Sequence, residues 1–506
     1  MDGAMDIIIT DHHLPGSILP PAYAVINPHR ADCPYPDKDL AGVGVAFKLV
    51  QALWQIKEER LYADDLDIAA LGTVADLVPL VGENRKIVQL GLARMTECPC
   101  LGIAALIRVS GCEGKAINTG IVGFQLAPRL NAAGRIETAR RGVELLSAED
   151  VHEADHIAAE LNALNTERRD LEQDILTEAE SMLGGFTPDV PAIVVAGEDW
   201  NAGVIGIVAS RLVEKYYRPS IVLTRQGDVY KGSCRSIAGL HMYDALVACR
   251  DTLIQFGGHA MAAGLTLECN RVEDFRRAFA NYVNTQLKFE DYTPKIPIEA
   301  LVAPADWTLP MVEEIALLEP YGMGNPRPIF GVRDLRPRTA AAIGVEGKHL
   351  RMEVGTRDKR VAALYWNYGE LAELVTEEAG DLAYTPSINE WQGMRSVQCM
   401  VDSIMPAVQE RVFPDRTLLK TIYAFLKGCM DADGSIPYGA VALTQHFSRR
   451  MGHISHYTMD CALCIFRELG MLTQEEDGWR LIPPQGKLEL MDAPTFRRHA
   501  ERKGDI

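Results

Sequence analysis

The alternation of apolar and polar positions divides the chain into blocks of different period. Near the start, Ile7-Ile8-Ile9 is a run of β-branched residues that reads as a short buried strand, delivering Thr10-Asp11-His12-His13 at its carboxyl end. A loop over residues 14–39 carries six of the 27 prolines, and the glycine-rich helix start Ala41-Gly42-Val43-Gly44-Val45-Ala46-Phe47-Lys48-Leu49 follows it. Residues 66–75 read as an apolar helix running into Asp76-Leu77-Val78-Pro79-Leu80, where the proline is a stop. Residues 147–183 keep a helical, charged pattern without glycine or proline. Their narrow apolar stripe of Leu161, Leu164, Leu171, Ile175, Ala179 and Met182 predicts one long helix bridging two domains.

Gly184, Gly185 and Pro188 close that helix. Residues 192–196 then read as a buried strand, Trp200-Asn201-Ala202-Gly203-Val204-Ile205-Gly206 as a helix start, and residues 220–224 as another strand. From 293 to about 406 short strand-like runs replace helices, which suits a small barrel. Residues 412–506 read as several helices with a short hairpin at 471–481, compatible with a winged-helix module. The fold class expected is α/β: two α/β domains over 1–148 and 187–292, joined by the helix of 149–186. An OB-like β-barrel over 293–406 and a winged-helix-like α+β module over 412–506 complete it.

Bulk numbers narrow the setting. A chain of 506 residues holds three or four domains on ordinary domain sizes. No apolar run approaches the ~20 residues of a membrane span, and no signal peptide opens the sequence, so no membrane association is expected. Eleven scattered cysteines suit a reducing cytoplasm better than a disulfide framework. The net charge of -18 argues against unselective coating of nucleic acid; any such ligand must be held by local basic patches and metal ions.

Candidate chemistry sits at the junctions between blocks. An Asp-His-His triplet at a strand's carboxyl end can ligate a divalent metal through one imidazole while a carboxylate orients the ring; alone, it fits a surface turn with two ordinary histidines better. Asp76 closes an apolar helix where the dipole disfavours an anion, so it is either well solvated or neutralised by a cation. In Pro128-Arg129-Leu130-Asn131-Ala132-Ala133-Gly134-Arg135, two arginines flank small residues that let backbone approach a ligand, and a guanidinium fork suits phosphate oxygens. Lys231-Gly232-Ser233-Cys234-Arg235-Ser236 and Gly257-Gly258-His259-Ala260-Met261-Ala262-Ala263-Gly264 read as small-residue loops able to cradle an anion, or as tight turns. The dinucleotide-binding glycine spacing is absent. In the barrel block Arg327, Arg333, Arg336 and Arg338 cluster, and Tyr321, Phe330, Tyr365, Trp366 and Trp391 offer stacking faces or core. Cys461 and Cys464 have metal-like spacing but no second pair, and read as core.

Taken in order, Asp11-His12-His13, the segment around Asp76, Pro128 to Arg135, Gly232 to Ser236 and Gly257 to Gly264 resemble the DHH phosphoesterase superfamily. Within it the chain resembles the RecJ family of single-strand-specific exonucleases, through the motif order, the bridging helix and Leu318-Glu319-Pro320-Tyr321-Gly322-Met323-Gly324-Asn325-Pro326 opening the barrel. The resemblance covers nearly the whole chain, most weakly its last hundred residues. It implies hydrolysis of single-stranded DNA from the 5′ end to mononucleotides with Mn2+ or Mg2+ at a two-metal site, in repair and recombination. It implies metal ligation by His12 and Asp76, with Asp11 orienting the histidine pair and His13 facing the scissile phosphate. Arg129 and Arg135 would support that phosphate, with Asn131 in the same catalytic set. Ser233 and Arg235 would hold the terminal 5′-phosphate, while Gly257, Gly258 and His259 line the far wall. A helicase and a single-strand DNA-binding protein are the protein partners it suggests.

One departure stands out. Members of the superfamily carry further metal aspartates on strands ahead of the Asp-His-His strand, and the ten residues before Asp11 hold no such constellation. The expectation is a partial DHH domain with an incomplete metal site, in a chain inactive as it stands. Two rival readings are a DHH phosphodiesterase for oligoribonucleotides or cyclic dinucleotides, whose shorter chains lack the appended domains, and a strand-binding scaffold without catalysis.

Overall fold

The computed structural model describes residues 5–16, 18–59, 62–184, 190–475, 478–483, 486 and 488–503. They form two compact units. Of these residues, the first comprises those within 5–184, 190–294 and 318–327; the second comprises those within 295–317 and 328–503.

The first unit opens with the parallel pair β1 (Ile8–Thr10) and β2 (Ala24–Ile26), in the register Ile8↔Ala24. Five helices follow: α1 (Gly42–Glu58), α2 (Leu66–Ala75), α3 (Gly82–Glu97), α4 (Leu101–Val109) and the single turn α5 (Thr119–Ile121). Gly91 lets α3 approach α2, since a Cβ there would stand 2.3 Å from both the Leu66 carbonyl oxygen and the Ala70 methyl. A π-helical turn, Val122–Leu126, then leads directly into α6 (Ala127–Ile136). The stretch of small residues between Arg129 and Arg135, which reads as open backbone in the sequence, is therefore helical. Ala132 and Ala133 are fully buried, and their small size serves helix packing rather than ligand approach.

After α7 (Arg140–Leu146) comes α8 (Val151–Met182), 32 residues and so about 48 Å long. Asp150 caps it, its side chain accepting from the amides of His152 and Glu153. The apolar stripe does what its spacing predicts over Leu161, Ile175 and Ala179, which are buried, whereas Met182 is 46% exposed. Leu71, Val74, Met95, Leu106, Leu126, Ala133, Leu145 and Leu161 join α2, α3, α4, the π-helical turn, α6, α7 and α8 into one core.

Beyond it lie β3 (Ile193–Gly197), α9 (Ile205–Tyr216), β4 (Ser220–Gln226), β5 (Val229–Arg235), α10 (Met242–Ala248), β6 (Gln255–Gly258), β7 (Ala262–Glu268) and α11 (Val272–Gln286). The sheet order is β3-β4-β5-β7-β6, parallel only between β3 and β4. Alternation sorts the side chains. Ile221, Leu223, Cys234, Leu265 and Leu267 pack with Phe275 and Phe279 of α11, while Ile193, Val195 and Val222 pack with Val208 and Leu212 of α9. Both glycine motifs of this domain differ from the loops read in the sequence. Residues 231–235 belong to β5, and 257–264 form a hairpin whose strands end and restart at Gly258 and Ala262. The segment Leu318–Arg327 also departs from expectation: it joins the first unit, where the Leu80 amide donates to the Met323 carbonyl, so Arg327 is not part of a barrel cluster.

The second unit holds β8 (Ala300–Leu301), α12 (Leu309–Ala316), β9 (Phe330–Leu335), β10 (Thr339–Ile343), β11 (His349–Gly355), β12 (Arg360–Tyr365), α13 (Leu374–Glu377), β13 (Gly380–Trp391) and β14 (Met394–Pro406). Their strand order is β10-β11-β12-β14-β13-β9-β8. Tyr384 is fully buried at its centre, accepting from Trp307 Nε1 at 2.9 Å and donating to the Val302 carbonyl at 2.6 Å. Phe330 packs edge-on against Trp307, whereas Trp366 and Trp391 are exposed. Next come α14 (Arg416–Gly428), β15 (Ser435–Ile436), α15 (Ala440–Met451), α16 (His456–Glu468), β16 (Leu472–Glu475), β17 (Gly478–Leu481) and α17 (Pro494–Lys503), with sheet order β15-β17-β16. Cys461 and Cys464 lie on α16, half-buried.

The amino end of α16 is fastened to the seven-stranded sheet's domain. Ser455 Oγ donates to the Glu410 carbonyl, Thr458 Oγ1 to the Val412 carbonyl, and the His456 amide to Glu378 Oε1 at 2.8 Å. Burial pushes the Glu378 carboxyl up to about 7, with Glu410 adding to the shift and His453 and the amide bond opposing it. The folded state thus binds a proton more tightly than the unfolded chain, so this contribution to stability is full below the unfolded value and is lost as pH rises through about 7. Thermal unfolding of the second unit is expected at lower temperature at pH 8 than at pH 6. Glu378→Gln, which keeps the acceptor without the charge, should flatten that dependence, and an unchanged pH profile would refute the assignment.

Candidate metal and phosphate site

The turn after β1 is built by its own acid. Asp11 Oδ1 accepts from the amides of His12 and His13 at 2.7 and 3.2 Å and meets His13 Nδ1 at 2.8 Å. The His13 hydrogen bond holds the Asp11 carboxyl below its ordinary value, against the opposing effect of partial burial. Among the described residues, Asp11, His12 and His13 form the cluster whose metal-ligating atoms lie within 4.8 Å of one another.

His12 also reaches the end of α2. Its Nε2 lies 3.4 Å from Asp76 Oδ2, although 64 residues separate the two in sequence. Two donors about 2.1 Å from one cation stand roughly 3.0–3.4 Å apart, so the pair fits a shared divalent ion. A nitrogen and a carboxylate oxygen also suit Mn2+ or Mg2+ chemically. Asp76 follows α2 at a reversal where Leu77 takes φ 58°, and Leu77 itself is 70% exposed. Three residues that the sequence does not single out hold the turn. His29 Nδ1 bonds the His12 carbonyl at 2.7 Å, and Asn27 Nδ2 donates to the His13 carbonyl at 2.8 Å. Gly42 makes room for the imidazole, because a Cβ there would stand 3.2 Å from His12 Cδ2. The Asn27-Pro28 turn signal inside the proline-rich loop is the available clue.

The phosphate candidates lie on the sheet of the following domain. Cys234 points into the α11 core, so its neighbours Ser233 and Arg235 face α9. Arg235 Nη1 donates to Ser233 Oγ at 3.2 Å and to the Cys234 carbonyl, and its Nε to Ser210 Oγ at 3.2 Å. Gly206, at the start of α9, presses against both: a Cβ there would come within 2.9 Å of Ser233 Oγ and 3.2 Å of Arg235 Nη2. Nothing in the sequence marks Gly206 and Ser210 as site residues until α9 is placed. Across the sheet, Ser233 pairs with Gly264, which pairs with Gly257, giving a row without side chains beside the hydroxyl. Gly258 takes φ 151° and sits against Ala263, a position no other residue fills easily. His259 is exposed at the hairpin tip, its amide bonded to the Ala262 carbonyl.

Helix α6 connects the two clusters. Val122 and Leu126 of the π-helical turn share a core with Val74 of α2, and Arg135 Nη1 donates to the Gly203 carbonyl at 2.8 Å, just ahead of α9. Burial lowers the Arg135 pKa, and the Arg168 guanidinium adds to it; Arg235 is lowered by burial and by Arg135. Guanidinium groups crowded under partial burial favour a bound anion. Arg129 is committed differently, to Asn162 Oδ1 at 2.9 Å and the Gln125 carbonyl at 2.6 Å, while Asn131 is exposed on the same helix.

Known proteins match in the same order. The DHH family N-terminal domain matches residues 2–73, the DHHA1 domain 189–285 and the RecJ OB domain 298–403. The single-stranded-DNA-specific exonuclease RecJ of Bacillus subtilis (strain 168) is 42% identical over 400 residues, covering 78% of this chain and 50% of that protein. The RecJ of Dickeya dadantii (strain 3937) is 38% identical over 430 residues, covering 79% of this chain and 73% of the relative. The crystal structure of RecJ in complex with Mn2+ from Thermus thermophilus superposes with a TM-score of 0.70 at 31% identity, over 85% of this chain and 63% of that one. The chain thus spans about half the length of its Bacillus relative and nearly three quarters of its Dickeya relative. On this sequence identity and shared domain order, the chain belongs to the RecJ family.

Proposed function

We propose that this chain supplies the metal turn, phosphate pocket and strand-binding domain of a metal-dependent exonuclease that degrades single-stranded DNA from its 5′ end to mononucleotides. The observation that carries the reading is the gathering, within one compact unit, of a His12–Asp76 donor pair and a Ser233–Arg235 pocket linked through Arg135. His12 and Asp76 would hold Mn2+ or Mg2+, the ions present in the Thermus RecJ crystals. When bound, such a cation neutralises charge growing on the phosphate and supplies hydroxide at neutral pH. Asp11 and His29 fix the turn so that His12 needs no reorganisation, and His13 stands exposed beside it for the scissile phosphate.

Ser233 and Arg235 are the donors for a terminal 5′-phosphate, and the bare row of Gly264 and Gly257 leaves room for the nucleotide attached to it. Arg135 sits between the two sites and steadies the backbone that joins them. Exposed Trp366 and Trp391 on the OB domain offer stacking faces to single-stranded bases. A helicase that unwinds duplex and a single-strand DNA-binding protein are the partners this reading expects. The chain's eleven free thiols suit a reducing cytoplasm, and among the described residues no single helix is long and apolar enough to cross a membrane.

With Mn2+ present, a protein that carries this chain together with the further metal aspartates of the family is expected to release mononucleotides from the 5′ end of a 5′-phosphorylated single strand while blunt duplex resists, and full activity in this chain alone would refute the incomplete metal site. Release beginning at the 3′ end, or equal rates on duplex, would overturn the function. His12→Ala and Asp76→Asn should each weaken Mn2+ binding by about tenfold or more in calorimetric titration; wild-type affinity in either variant would remove that residue from the metal site. Arg235→Ala should raise KM for 5′-phosphorylated strands roughly ten- to hundredfold, the loss of charge-assisted bonds of about 1.5–3 kcal/mol. It should leave 5′-hydroxyl strands nearly unaffected, and equal effects on both would count against the pocket.

A further inference from the structure

Behind the His12–Asp76 pair lies a buried amide that belongs to neither motif. Asn84, in the first turn of α3, is fully buried. Its Nδ2 donates to two carbonyls, that of Asp39 at 2.6 Å and that of Pro79 at 3.1 Å. Both partners are backbone oxygens, so only the amide nitrogen can face them. Asp39 stands three residues before Gly42, which makes room for the His12 ring, and Pro79 three residues after Asp76. One side chain therefore ties the segment beside the imidazole to the segment that carries the carboxylate. Among the described residues Asn84 Oδ1 has no hydrogen-bond partner. A buried acceptor left unmet costs stability, so core packing gives no reason for an amide here. The reason lies in the two carbonyls it joins.

The Asp76 turn has little packing of its own: the side chain of Asp76 is 42% exposed and Leu77 beside it is 70% exposed. It is gripped from a second side by the segment Leu318–Arg327, whose flanking chain belongs at both ends to the second unit. The Leu80 amide donates to the Met323 carbonyl at 2.6 Å. Gly322 and Gly324 pack on Leu80 and Pro79, where a Cβ would stand 2.6 and 3.1 Å from their side chains. Asn325 shapes this strap, its Nδ2 donating to the Leu318 and Pro320 carbonyls, both at 2.9 Å. Thr119 Oγ1 fastens it to α5 through the Tyr321 carbonyl at 2.8 Å. The segment ahead of Gly42 is pinned as well, because Asp37 Oδ2 accepts from the Glu83 amide at 2.7 Å.

We propose that Asn84 and the Leu318–Arg327 strap are positioning elements of the metal site, clamping residues 76–80 from two sides and so setting Asp76 at chelating distance from His12. Neither touches metal or substrate; both act through the backbone of the turn. The inference rests on the metal reading above.

Calorimetric titration of the full chain with Mn2+, in the absence of DNA, tests it. Asn84→Ala is expected to weaken Mn2+ binding about tenfold, the usual cost of losing a residue that orients a ligand. Thr119→Val, a milder change at the strap, should weaken it about threefold, the share of one neutral hydrogen bond. Thr119→Ser keeps the hydroxyl and should restore wild-type affinity. Inorganic phosphate, titrated without metal as a probe of the Ser233–Arg235 pocket, should bind all these variants equally. A metal-free measurement at constant pH completes the set. In chain labelled with 15N-histidine, Asp76→Asn marks how the His12 imidazole signal moves when the carboxylate contact is lost, and Asn84→Ala should move it the same way. Wild-type Mn2+ affinity in Asn84→Ala and Thr119→Val would overturn the proposal, as would a His12 signal unmoved by Asn84→Ala. Equal losses of Mn2+ and phosphate would also overturn it, by showing a general loosening of the fold. If Asn84→Ala does not fold, the Thr119 pair decides alone. A wild-type chain that takes up no Mn2+ while its His12 signal moves as expected would uphold the clamp and refute the metal reading.

Discussion

The packing of α6 between α2 and α8 is the constraint on which the first unit's chemistry depends. Val74, Leu126, Ala133 and Leu161 share one buried core there, so the carboxyl end of α2 and the amino end of α9 are fixed to one framework. Asp76 stands at the first end, and Arg135 reaches the Gly203 carbonyl just before the second. Close-packed interiors transmit position, because a side chain moved by a methyl group has nowhere to relax. The metal turn and the phosphate pocket are therefore set relative to each other through the apolar packing of α6 and the Arg135–Gly203 hydrogen bond.

Charge is distributed to match. The chain as a whole is strongly acidic, yet a few arginines are drawn away from water: Arg168 is buried, and desolvation lowers the pKa of Arg135 and Arg235. Desolvation makes such a group strongly dependent on a counter-ion, and Glu172 satisfies only part of the need.

Much of this is legible in the residues. The helix over 66–75, the long charged helix ending before Gly184 and the strand leading to Asp11 are each dictated by local period and by glycine or proline punctuation. The two phosphate motifs are recognisable by residue type yet read as loops, because serine, cysteine and glycine are poor strand formers in isolation. Their strand conformation comes from pairing with β4 and β7, which residues 231–235 do not announce. The Pro128 to Arg135 segment misleads for the opposite reason: alanines that look permissive in a loop are also strong helix formers.

By itself, the sequence determined the chemical inventory: an imidazole and carboxylate at a strand end, guanidinium groups beside small residues, and the order of the blocks carrying them. Composition and local period suffice for that, since both act over a few residues. The tertiary structure supplied the contact between His12 and Asp76 that the family resemblance implies, and it alone decided that Ser233 and Arg235 face α9 rather than α11 and that Gly42 and Gly206 stand where a methyl group would collide. Those facts depend on contacts between residues far apart in the chain, and only the packed core brings them within a few ångströms.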